Sequence, residues 1–118
     1  MSHSAYEKTQ RATQNPRELE YRAFCEATAR LERADADGRA DLKMLIDAIH
    51  FNRQLWGALA ADCRRDDNGL PVETRRSIVS LTQWVSDYSS SVMREGEAIA
   101  PLVEINRMMM DGLSGKAA

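Results

Sequence analysis

Residues 39–64 read RADLKMLIDAIHFNRQLWGALAADCR, the longest strongly apolar segment of the chain with a helical period. Leu42, Leu45, Ile46, Ile49, Trp56, Leu59, Ala60 and Cys63 fall along one stripe when the chain is wound at 3.6 residues per turn. Phe51, Leu55 and Ala58 widen that stripe on one flank, and Met44 and Ala48 continue the flank upstream. A helix apolar over so much of its circumference sits centrally, with neighbours on more than one side.

Working outward, the same period recurs between sparse breakers. Upstream, Asn15-Pro16-Arg17-Glu18 reads as a helix start. Asn15 serves as N-cap, Pro16 takes the first helical position and Glu18 the third. Leu19, Ala23, Phe24, Ala27, Leu31 and Ala34 then mark an amphipathic helix of about twenty residues, ended or bent at Asp35-Ala36-Asp37-Gly38. Downstream, Asp67-Asn68-Gly69-Leu70-Pro71 is a strong break, with Pro71 as another first-position proline. A third helix follows over about 72–94, burying Ile78, Leu81, Val85, Tyr88 and Val92, with Trp84 beside them. Glu95-Gly96 interrupts it. A fourth starts within 97–101, because Pro101 is tolerated only in a first turn. It carries Leu102, Val103, Ile105, Met109, Met110 and Leu113, and Asp111-Gly112 is expected to end it. Tyr6–Ala12 is a candidate short extra helix. No segment alternates at the strand period. The expectation is an all-α, single-domain bundle of four main helices over residues 1–118, with disordered ends at 1–4 and 114–118.

The 118 residues suit one domain. Sixteen Lys and Arg against eighteen Asp and Glu leave a formal charge of −2, which argues against direct nucleic-acid binding. Apolar runs are too short for a membrane span, and Met1–Gln14 lacks the apolar core of a secretory leader. Cys25 and Cys63, far apart and without a metal-ligand spacing, read as reduced thiols. Together these features place the chain in the cytoplasm.

Chemistry is sparse. His3 and His50 stand without an HExxH or Cys/His partner pattern, so no metal and no cofactor is expected. Neither thiol has a local base, and no glycine-rich turn follows a strand. No enzymatic activity is expected. The carboxylates are interleaved with arginines: Glu18 with Arg22 and Glu26 with Arg30 are four apart, the spacing of a solvated helix face. Arg64-Arg65 and Arg75-Arg76 flank Asp66-Asp67 and could offer a local basic spot to RNA or an acidic partner.

Two features remain. Asn52 and Asn106 each interrupt an apolar stripe, where an unbonded amide costs about 1–3 kcal/mol. Either each fixes helix register or satisfies a nearby carbonyl, or one lines a groove and bonds a partner. Met108-Met109-Met110 spreads over roughly 200° of helix surface at ~100° per residue, more than one core face absorbs. The surplus suits an adaptable apolar binding surface. With Trp56 and Trp84, both expected to be largely buried, Asn52, Asn106, Met108, Met109 and Met110 make up the candidate partner-binding set.

The ordered motifs resemble a known family. They are YRAFCEATARL at 21–31, NRQLW at 52–56, NGLP at 68–71, SIVSL at 77–81 with Trp84-Val85, and Ile105-Asn106-Arg107 with Gly112-Leu113. In this order and spacing, over about residues 3–113, they are similar to the FlaF family of flagellar biosynthesis proteins. The resemblance implies a small cytoplasmic helical accessory factor for flagellin synthesis, secretion or filament assembly. It would bind flagellin as a chaperone, or act after transcription through flagellin mRNA or an FlbT-like regulator. It carries no catalytic residues. Flagellin's terminal segments are amphipathic and polymerise as helices, which a helical domain with a spare apolar groove could shield.

Overall fold

The computed structural model describes residues 16–37 and 41–114. They form four helices: α1 (Pro16–Ala36), α2 (Leu42–Cys63), α3 (Val72–Glu95) and α4 (Ala100–Ser114). Among the described residues there is no strand. The all-α class and the four main helices are therefore as the periodicity predicts. The expected Asn15 cap, the Tyr6–Ala12 helix and, of the ends expected at 1–4 and 114–118, all but Ser114 lie outside the described residues; Ser114 closes the last helix.

The helix ends have local causes. α2 starts at Leu42, where Asp41 is its N-cap, with its carboxylate accepting the Met44 N–H at 3.0 Å. Pro71 stands one position earlier than predicted, at the N-cap of α3, where its carbonyl accepts the Arg75 N–H at 3.0 Å. Gly96 stops α3 in the left-handed conformation, φ 72°, with its N–H on the Ser91 carbonyl. α4 does not end at Asp111-Gly112 but continues to Ser114. One glycine costs a helix only about 1 kcal/mol relative to alanine and does not by itself terminate it.

The turn between α2 and α3 is built around Asn68. Its Nδ2 donates to the Asp62 carbonyl at 3.1 Å and to the Asp62 carboxylate at 2.8 Å. Its Oδ1 accepts the Leu70 N–H at 3.2 Å, and Gly69 supplies the positive φ of 88° that the turn requires. The short tie reverses the chain and sets α3 against α2.

α1 packs on both α4 and α2, and α2 packs on both α1 and α3. α3 and α4, although consecutive, touch little. The core runs through Phe24 and Leu31 of α1, Ile49 and Trp56 of α2, Val85 and Val92 of α3, and Leu102 of α4, with Ile99 just ahead of α4. Phe24 meets the Trp56 ring edge-on, with centroids 5.4 Å apart and an interplanar angle of 85°. α2 thus has the neighbours on two sides that its wide stripe predicts. Its first turns differ from the prediction, since Leu42 is 64% exposed and Ile46 45%. Met44 and, on α1, Leu19 are exposed as well. The helical period locates these side chains on the stripe, but the stripe extends past the surface its neighbours cover. No described helix is long and apolar enough to cross a membrane.

Candidate functional site

The two amides in the apolar stripes are brought together. Asn106 of α4 accepts the indole N–H of Trp56 on its Oδ1 at 2.9 Å, and its Nδ2 donates to Asn52 Oδ1 at 2.8 Å. All three side chains are fully buried. The chain Trp56–Asn106–Asn52 ties α2 to α4 across the core and leaves each helix one register in which it closes. Asn52 Nδ2 and, on α3, Ser89 Oγ are buried without a hydrogen-bond partner in the structure. Nothing of this network reaches the surface.

A groove opens at the end of the bundle where the N-termini of α1 and α3 meet the C-termini of α2 and α4. Its volume is about 610 Å³, within the range of ligand and side-chain pockets. Leu59 and Leu70 lie on its α2 side, Ile78 and Leu81 of α3 form one wall, and Met109 and Leu113 of α4 form the other. Glu20 and Asp62 also line it, together with Arg17. Burial and then the nearby Asp62 charge raise the Glu20 carboxyl above the usual carboxylate range, against an opposing pull from Arg17. Burial, followed by the Asp62 and Glu20 charges, likewise raises the Cys63 thiol. That thiol is therefore a packed group and not an activated nucleophile.

A family model described as flagellar protein FlaF matches residues 2–113. The chain belongs to the FlaF family. A role in flagellar biosynthesis comes with that membership. None of the curated proteins and none of the solved structures compared with the chain matches it.

In this FlaF protein the three methionines divide among three environments, as the ~100° step predicts. Met110 turns inward, and the Thr28 hydroxyl of α1 lies 3.7 Å from its sulfur. Met109 lines the groove half-buried, and Met108 stands at its rim, 67% exposed. Trp84 departs from its expected burial. It is 40% exposed on α3, stacked on Tyr88 at 5.0 Å, and takes no part in the groove. Tyr88 in turn donates its hydroxyl proton to the Ala98 carbonyl at 2.7 Å, so the stack steadies the turn between α3 and α4. Trp84→Ala should accordingly cost about 0.5–1.5 kcal/mol, the worth of an aromatic pair at the surface, as read from urea denaturation midpoints.

The basic spot is partly spoken for. Arg65 forks onto the Asp67 carboxylate at 3.1 and 3.0 Å, and Arg75 Nη1 donates to the Arg65 carbonyl at 2.7 Å. Glu20, Asp62 and Leu70, by contrast, were not singled out from the sequence as site residues. The available signal is topological: in an up-and-down bundle, residues at the start of the first and third helices share one end with those closing the second and fourth.

Proposed function

We propose that this FlaF protein is a non-enzymatic cytoplasmic chaperone that binds flagellin in the groove at the end of its bundle, before export and assembly. The observation carrying the proposal is the groove itself, an apolar trough with two methionines on one wall, in a protein of a flagellar family. Methionine side chains are flexible and polarizable, so they accommodate helical clients whose contacts shift from one relative to the next. Holding an amphipathic segment there keeps it from pairing with other copies.

The second reading is a regulator acting after transcription, through flagellin mRNA or an FlbT-like partner. Its support is the exposed pair Arg64 and Arg76 beside the α2–α3 turn. The formal charge of −2 and the engagement of Arg65 and Arg75 count against RNA.

Calorimetry with purified flagellin separates the two. Binding to the groove should bury apolar surface, give a negative heat-capacity change and depend mildly on salt. Met108→Glu with Met109→Glu should weaken it by at least about tenfold, the effect of placing two charges in an apolar contact. Circular dichroism should show helicity unchanged. If flagellin gives no heat at about 50 μM while RNA or an FlbT-like protein binds, the chaperone reading falls and the regulator reading replaces it.

A further inference from the structure

The groove has a shape and a charge that together describe its occupant. On α3 its lining is Thr74, Ser77, Ile78 and Leu81, spaced i, i+3, i+4, i+7 over about 10 Å of helix rise. Met108, Met109, Gly112 and Leu113 form the facing stripe on α4. Two helical stripes that face each other across a trough, on helices that touch little, are the setting in which a further helix packs its ridges. Gly112 lowers one wall: a Cβ added there would meet no atom within 4 Å, so a neighbouring backbone can approach closely.

The trough is not uniformly apolar. Glu20 from α1 and Asp62 from α2 both open into it, against the single cation Arg17 of that lining, for a formal balance of −1. Asp62 already accepts the Asn68 amide, and Glu20 has no ion-pair partner within 4.0 Å among the described residues. A basic side chain arriving in the trough would compensate both carboxylates while leaving apolar atoms for the two walls.

We infer that the groove receives an amphipathic helix of a protein partner, about two turns of it, and that the helix sets one Lys or Arg from the margin of its apolar face against Glu20 and Asp62. The inference rests on the chaperone reading for its site and adds what the site selects. Selection comes from the carboxylates, and general adhesion comes from the apolar walls.

The test uses the full chain and two labelled synthetic peptides of about 18 residues, long enough to hold helix in isolation. Both are Ala/Leu amphipathic helices, one with Lys and one with Gln at the same margin position, and fluorescence anisotropy reads their binding. The Lys peptide should bind about tenfold more tightly than its Gln twin. In the Glu20→Gln/Asp62→Asn double variant the two should bind within about twofold of each other. Gly112→Leu, which builds into open space and leaves the helix intact, should weaken both. Equal binding of the two peptides, binding of neither, or indifference to Gly112→Leu would overturn the inference. Flagellin serves as competitor. If flagellin does not displace a selectively bound Lys peptide, the groove inference stands and the flagellin reading fails. If flagellin binds, neither Gly112→Leu nor the carboxylate variants affect it, and the Lys and Gln peptides bind equally, flagellin docks elsewhere and the groove inference fails.

Discussion

Trp56→Ala should destabilise the protein by about 3–5 kcal/mol, the largest single effect expected in this chain. The ring is fully buried, packs edge-on against Phe24 and carries the only indole N–H in the core network. Truncation removes a large apolar surface and leaves Asn106 Oδ1 without its donor. A small domain's entire margin is about 5–15 kcal/mol, so the variant sits close to its threshold at ambient temperature. Trp56→Phe separates the two contributions. It keeps most of the packing and loses the N–H, and should cost about 1–3 kcal/mol. Urea denaturation followed by circular dichroism reads both values. A Trp56→Ala variant within about 1 kcal/mol of wild type would mean that the ring does not occupy the core.

Asn106→Ala is the second large effect, at about 2–5 kcal/mol, because it leaves two buried groups unpaired at once: the Trp56 N–H and Asn52 Oδ1. Asn52→Ala removes only one partner and should cost about 1–3 kcal/mol. The network makes a further demand, which is non-additivity. Combining Trp56→Phe with Asn106→Leu replaces a donor and its acceptor by apolar groups, so the double variant should be more stable than the sum of the singles predicts, by about 0.5–3 kcal/mol. Strict additivity in that cycle would show that the hydrogen bond contributes nothing. Should the asparagine variants keep wild-type stability yet abolish function in cells, the amides would belong to recognition and not to the fold.

The two amides show how far a sequence can be read. Their position inside apolar stripes already demands hydrogen-bond partners, and this demand follows from desolvation alone. That they satisfy each other could not be read, because Asn52 and Asn106 are separated by 54 residues and meet only because α2 and α4 both pack on α1. The helices themselves were legible for a local reason: hydrophobic period, caps and turn residues act within a few positions. Burial was less so. Leu42, Ile46 and Trp84 satisfy the period and still face solvent, since a period fixes direction around one axis and not the extent of the neighbouring helix. The groove was the least legible element. Met108 and Met109 announce a surplus of apolar surface, but Glu20, Asp62 and Leu70 join them only because four helix ends converge.

The groove is the centre of the functional account, and methionine methyl groups report on it directly. The chain has six methionines, and the described ones fall in three environments: Met108 and Met109 line the groove, Met110 turns inward against Thr28, and Met44 and Met93 are exposed away from the groove. A 13C-methyl-methionine spectrum of the full chain, assigned by single Met→Leu substitutions and titrated with purified flagellin, reads these positions separately. The Met108 and Met109 resonances should shift or broaden while Met44 and Met93 stay in place. A response confined to Met44 or Met93, or no response from any methionine, would contradict the account.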